Sequence, residues 1–213
     1  MEKNIILESG DYSSSFNQYI YNEVPAGSEC LDVGCWTGNV GKSLIGQKDC
    51  IVDGLDCKAE VLEVAIKNGY RETFLVNLNN ESFDLNVINK MYQVILFADV
   101  LEHLINPVEV LSAFMDHVAA NGRVIISLPN VAFILNRMRL LFGQWEYKDF
   151  GTLDKTHLKF FTIDSAVKMV QSAGLIVVKV MPYNQFGILR YIKPLKVIFP
   201  RLFAYQTLIV AKR

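Results

Sequence analysis

One stretch limits this chain to few folds: Leu31-Asp32-Val33-Gly34-Cys35-Trp36-Thr37-Gly38-Asn39-Val40-Gly41. Cys30 and Leu31 lead into it as a buried parallel strand. Gly34 and Gly38 supply backbone freedom where a strand must turn at once into a helix. A doubly wound α/β fold builds a nucleotide pocket this way, at the carboxyl end of its first strand. The rest of the chain repeats the pattern. Apolar runs at 51–56, 74–76, 94–98, 123–127 and 175–180 alternate with amphipathic segments, as in successive βαβ units. The 213 residues can bury one sizeable core, and 51% hydrophobic with 20% charged residues mark a globular chain. A net charge of -1 argues against a nucleic-acid-binding protein. No signal peptide and no bilayer-spanning run are read, so a cytoplasmic location is the expectation. Cys30, Cys35, Cys50 and Cys57 form no CxxC pair and have no histidine nearby in sequence, so no metal is expected.

The ligand of the glycine turn is the next question. A dinucleotide fingerprint requires G-x-G-x-x-G, and from Gly34 the chain places Trp36 and Asn39 at the second and third glycines. Asp32, just before the turn, faces a pyrophosphate poorly and suits a ligand with positive charge. S-adenosylmethionine (SAM), with its ammonium and sulfonium, is such a ligand. The stretch resembles motif I of the class I SAM-dependent methyltransferases, roughly acidic-x-G-x-G-x-G. Trp36 departs from it at the middle glycine. If that position needs a positive φ, Trp is costly there.

The resemblance extends along the chain. It implies a doubly wound, mostly parallel seven-stranded sheet with an antiparallel last strand, here Thr207–Ala211, in one domain with segments 131–162 and 183–206 as lid or substrate insertions. It also implies a cofactor site of Asp32, Gly34, Cys35, Trp36, Gly38, Asp56, Cys57, Asn77, Leu78, Ala98 and Asp99. Asp56 ends the second strand about twenty residues after the turn, where a carboxylate can hold both ribose hydroxyls or cap the next helix. Asn77 is placed to accept from the adenine amine, beside Leu78, and serves equally as a turn asparagine. Ala98 and Asp99 would lie beside the methionine part. Before the first strand, Asp11–Ser15 offer helix caps, and Tyr12 could reach the pocket.

Beyond this core, segment 131–142 reads as a helix apolar on nearly every side, which must be buried or must cover something. The run Asp154-Lys155-Thr156-His157-Leu158-Lys159-Phe160-Phe161-Thr162 resembles a segment of methyltransferases from polysaccharide and small-molecule pathways. Transfer to a hydroxyl also needs a base. His157 is the first candidate, oriented by Asp154, and His103 in the D-V-L-E-H-L run is the second; His117 reads as a surface residue. Segment 183–206 carries Arg190, Lys193, Lys196 and Arg201 and no acid, which suits a peripheral membrane contact, an anionic substrate or a solvated edge. A small-molecule acceptor, a sugar or polysaccharide precursor among the options, and a homodimer complete the expectation. A non-catalytic SAM-binding scaffold is the competing reading. An NAD-type oxidoreductase is disfavoured by the missing glycines.

Overall fold

A computed structural model describes residues 17–184 and 198–213. Tyr12, the caps at Asp11–Ser15, and Arg190, Lys193 and Lys196 lie outside them. The first described helix, α1 (Gln18–Glu23), is capped by Asn17, whose side-chain oxygen accepts from the Tyr19 and Ile20 amides. There follow β1 (Glu29–Val33), α2 (Asn39–Lys48), β2 (Ile51–Asp56), α3 (Ala59–Lys67), β3 (Thr73–Leu75) and β4 (Tyr92–Ala98). After these come α4 (Pro107–Ala113), β5 (Val118–Pro129), α5 (Ile134–Leu141), α6 (Ile163–Ser172), β6 (Ile176–Tyr183) and β7 (Gln206–Lys212).

The strands form one sheet in the order β3-β2-β1-β4-β5-β7-β6. β7 runs antiparallel to both its neighbours, with Ile126 opposite Ile209 and Val180 opposite the same residue. The expected antiparallel closing strand is therefore present, inserted between β5 and β6. Alternation along each strand feeds two cores. Leu31, Val33, Ile95, Phe97 and Ile126 pack with Val110 and Leu111 of α4 and Val170 of α6. Cys30, Val52, Val94 and Leu96 pack with Leu44 of α2 and Leu62 and Ala65 of α3. With both faces covered, the central strands bury nearly every residue, which is why they read as continuous apolar runs.

Two expectations change. Pro107 at a helix start and Asn121-Gly122 as a stop predict a helix from Pro107 to about Ala120, but the helix ends at Ala113, passes through a 3-10 turn (Phe114–His117) and becomes strand at Val118. Asn121-Gly122 is no helix stop: Asn121 has φ 62° and the β4–β5 register shifts between Tyr92 and Val94. A Cβ on Gly122 would lie 2.8 Å from the Ala119 carbonyl oxygen, so the fold-back there excludes a side chain. The second change is α5. Its one buried residue is Asn136, which donates to the Thr152 hydroxyl (2.8 Å) and the Val131 carbonyl (3.0 Å). Leu135, Leu140 and Leu141 are exposed. The polar residue is the anchor, and the apolar residues of this helix face outward among the described residues.

Candidate active site

The β1–α2 turn is built by positive φ angles at Gly34 (68°), Trp36 (49°) and Gly38 (81°). A Cβ on Gly34 would sit 2.6 Å from Val100 Cγ2. The Gly34 and Cys35 amides both donate to the Leu55 carbonyl, at 2.7 and 3.0 Å, folding the turn over the end of β2. Trp36 occupies the middle-glycine position in the left-handed conformation, at a cost of about 1 kcal/mol or more for an L side chain. Its amide donates to Asp56 Oδ2 (3.1 Å), and the Lys58 ammonium lies 4.7 Å from its ring centroid. A cation on an exposed aromatic face offsets roughly 0.5–1 kcal/mol of that cost. Trp36 therefore keeps the glycine-type loop path.

Asp32 points somewhere other than the sequence suggests. Its Oδ2 accepts from the Tyr70 hydroxyl at 2.6 Å, and Tyr70 in turn accepts from the Gly41 amide at 3.1 Å. Burial raises the Asp32 carboxyl to about 7, against the lowering effect of the Tyr70 hydrogen bond, with the Asp56 charge raising it further. Asp32 thus anchors the loop to α2 through Tyr70. Tyr70 also explains three glycines at once. A Cβ would meet the Tyr70 ring or hydroxyl at 2.6 Å from Gly38, 2.2 Å from Gly41 and 2.9 Å from Gly54. Nothing in the sequence marked Tyr70 beyond its place after the Asn68-Gly69 helix stop. Cys35 is buried against Gly54, its thiol pushed up by burial, and serves as packing.

The remaining predicted cofactor residues collect at neighbouring strand ends. Asp56, at the end of β2, is buried and accepts from the Trp36 and Lys58 amides, so it caps and braces together. Each carboxylate oxygen retains a second lone pair for a ligand hydroxyl. Cys57 beside it is exposed, with its thiol also pushed up by burial and the Asp56 charge. Asn77, after β3, is exposed and closes an Asx turn onto the Asn79 amide (3.0 Å), while Leu78 is buried. Ala98 and Asp99 end β4, and Asp99 takes a φ of 56°. Its Oδ1 accepts from the Ser127 hydroxyl (2.7 Å) and from Gln206 Nε2 (3.1 Å). Asp99 borders open space, yet protein atoms crowd its carboxyl and hold its pKa above the usual range. These groups sit at the carboxyl ends of β1 to β4, where the strand order reverses between β1 and β4. That is where open α/β sheets bind ligands.

The third part of the site is the mouth. The 3-10 turn after Asp99 carries Glu102 and His103, and the loop before α6 brings His157 to them. His157 Nε2 lies 3.9 Å from Glu102 Oε1, and the rings of His103 and His157 meet edge to face at 4.8 Å. The Leu158 and Lys159 amides donate to the Glu102 carbonyl at 2.8 and 3.0 Å, clamping the two segments. Burial, then the His103 charge, lowers His157 to about 4, so its ring is neutral at pH 7. Burial and the Asp99 charge push the Glu102 carboxyl well up. The predicted orientation of His157 by Asp154 is corrected here. Asp154 Oδ1 accepts from the Thr156 amide (2.7 Å) and hydroxyl (2.6 Å), and Thr156 contacts Nδ1 of His103. Asp154 therefore orients His103 through Thr156. Glu102, a missed residue, was visible in the D-V-L-E-H-L run only as a letter. Its partner lies more than fifty residues away. Around His157, Phe160 packs with Trp145 (5.8 Å between centroids) and Tyr147 (6.3 Å), forming an aromatic wall.

A family model described as a methyltransferase domain matches residues 14–180. The chain belongs to the class I SAM-dependent methyltransferases. The cofactor of the family is SAM, and the glycine cradle, buried Asp56 and Asp99 turn fit such a ligand. Among curated relatives, the chain is similar to ubiquinone biosynthesis O-methyltransferases. It is 27% identical to that of Aeromonas salmonicida over 71% of this chain and 64% of the relative. It is 29% identical to that of Shewanella halifaxensis over 80% of this chain and 74% of the relative. The match thus spans less than two thirds of the first of these. A SAM-dependent methyltransferase structure from Mesorhizobium loti shares the fold, with a TM-score of 0.64, 12% identity, and coverage of 92% of this chain and 96% of the other.

Proposed function

We propose that this chain transfers the methyl group of SAM to a hydroxyl of a small-molecule acceptor. The observation that carries the reading is the convergence of Glu102, His103 and His157 beside the Asp99 strand end, next to the cofactor cradle. In this reading Asp56 holds the ribose, Asn77 and Leu78 receive the adenine, and Asp32, Gly34, Cys35, Trp36, Gly38, Cys57, Ala98 and Asp99 shape the remainder of the cradle. When bound, SAM supplies a methyl already activated on a sulfonium. The chain then has to position the acceptor and take its proton. His157 Nε2, 3.9 Å from Glu102 Oε1, is the acceptor of that proton.

A base whose own pKa lies near 4 suits an acidic hydroxyl better than an ordinary alcohol. The aromatic wall of Trp145, Tyr147 and Phe160 suits a planar ring. Both favour a phenolic acceptor, and the relatives' name, an O-methyltransferase, agrees with transfer to oxygen. A sugar hydroxyl is the second reading, favoured by the resemblance of the 154–162 run. Segments 131–162 and 183–206 are the acceptor-side additions to a single domain. Arg201 of the latter is paired with Asp164 at 2.8 Å, which leaves it little freedom for an anionic surface. The outward apolar residues of α5 are the surface for a homodimer. No helix among the described residues is long and apolar enough to cross a membrane.

The test has two parts. Calorimetry should show SAM binding at micromolar concentrations, and a methyl-acceptance screen should favour catechols and phenols over sugar nucleotides. His157→Asn should lower turnover by about 10²–10⁴ with SAM affinity unchanged. Absence of SAM binding, or wild-type turnover in the variant, overturns the respective half.

A further inference from the structure

The mouth cluster is chemically incomplete. Glu102 is 1% exposed, yet its Oε2 meets no donor. Across 3.9 Å from its other oxygen stands Nε2 of His157, too far for a hydrogen bond. His157 is itself nearly closed off, and its Nδ1 lies toward the Thr152 backbone without making a hydrogen bond of normal geometry. Buried polar groups are normally paired, and buried charges normally have a partner or a metal.

His103 completes the set. Its Nδ1 lies 3.2 Å from the Thr156 carbonyl oxygen and 3.1 Å from the Thr156 hydroxyl oxygen. That hydroxyl donates its own proton to Asp154 Oδ1 at 2.6 Å. Both Thr156 oxygens therefore accept, so Nδ1 of His103 carries the proton and Nε2 keeps its lone pair. This is how an outer carboxylate fixes the tautomer of a metal-binding histidine. One donor atom from each of Glu102, His103 and His157 lies within 4.8 Å of the others.

We propose that Glu102, His103 and His157 bind one divalent first-row transition ion, with Zn²⁺ the simplest case. Two imidazoles and one carboxylate suit Zn²⁺ or Mn²⁺ and serve Ca²⁺ and Mg²⁺ poorly. At tetrahedral angles, ligand bonds of 2.0–2.2 Å set two ligand atoms about 3.3–3.6 Å apart, so the widest pair of the cluster closes by roughly 1.2–1.5 Å on binding. Three protein ligands leave a position open for an acceptor oxygen, as in catalytic zinc sites. This inference rests on the acceptor-side reading above and changes its chemistry. The acceptor hydroxyl coordinates the ion and loses its proton more easily, as Lewis-acid catalysis requires. His157 then serves as a ligand, and the proton leaves to solvent.

The experiment uses the full chain, stripped with a chelator, dialysed against Zn²⁺, Mn²⁺ or Mg²⁺, and analysed for bound metal. One Zn²⁺ per chain is expected, with Mn²⁺ weaker and Mg²⁺ negligible. Glu102→Gln and His157→Asn should each weaken Zn²⁺ binding by at least about tenfold while SAM affinity, which reports the fold, stays within about twofold. No stoichiometric Zn²⁺ or Mn²⁺ uptake, or uptake indifferent to both substitutions, overturns the site. A chelated enzyme that keeps full turnover while His157→Asn loses it also overturns the ion and leaves the base reading intact. Stoichiometric Zn²⁺ uptake that depends on Glu102 and His157 supports the site even if no hydroxyl acceptor is methylated, in which case the hydroxyl-transfer reading alone fails.

Discussion

The cofactor cradle and the mouth of the site bury ionisable groups in opposite ways. In the cradle, Asp32 is 2% exposed and its carboxylate meets the Tyr70 hydroxyl. Asp56 is braced by two backbone amides. In the mouth, Glu102 is just as enclosed and the His157 side chain nearly so, but each keeps an unpartnered polar atom. The Asp32 and Asp56 carboxyls of the cradle are both braced by donors of the protein itself. In the mouth, Glu102 Oε2 and His157 Nδ1 meet no partner within the protein.

The largest effect is expected at the loop itself. Gly38→Ala places a Cβ 2.6 Å from the Tyr70 ring and 3.2 Å from the Ala65 Cα at a φ of 81°. It should destabilise the chain by about 2 kcal/mol or more, read as a lowered urea midpoint. A midpoint equal to wild type would show that the cradle is not closed around Tyr70.

The two regions also differ in the sign of their pH dependence. Asp32 has a folded pKa of about 7 against an ordinary 3.8, so its contribution to stability is full below about pH 4 and is lost as pH rises toward 7. His157 has a folded pKa of about 4 against an ordinary 6.5, so its contribution is full above pH 6.5 and is lost as pH falls toward 4. Urea unfolding across this range should show Asp32→Asn removing the first dependence, of about 1.4 kcal/mol per pH unit at its steepest. His157→Asn should remove the second, and a profile unmoved by either variant defeats the assignment.

Tyr70→Phe keeps the ring under the glycines and deletes one hydrogen bond to Asp32 and one from Gly41. A loss of about 1–2 kcal/mol is expected, together with a further rise of the Asp32 titration by NMR. The smallest effect belongs to Trp36→Gly. It relieves the left-handed strain and forfeits the Lys58 cation over the ring. The two are of similar size, so stability should stay within about 0.5 kcal/mol. A large loss would mean that the ring itself shapes the cradle.

Local sequence made much of this molecule legible. Alternating apolar runs specify a covered parallel sheet, and the strand–glycine–helix turn specifies where its pocket lies. Asp56 and Asp99 were found because each terminates an apolar run, a position that a one-dimensional pattern marks. The extent of α4 and the anchoring role of Asn136 in α5 escape the sequence for a common reason. Asn121-Gly122 has the composition of a helix stop whether it ends a helix or bends a strand. Asn136 looks like a break in an apolar helix until Thr152 is there to accept from it.

What the sequence determined alone is the cofactor turn at the carboxyl end of the first strand and, by resemblance, the family, because the residues of each motif lie close together in the chain. Tertiary structure decided that Asp32 belongs to Tyr70, that Asp154 reaches His103 through Thr156, and that Glu102 faces His157. Each of those pairs joins residues 38 to 55 positions apart or depends on a residue that does. No periodicity records such a meeting; only the folding of two distant segments onto one strand end produces it.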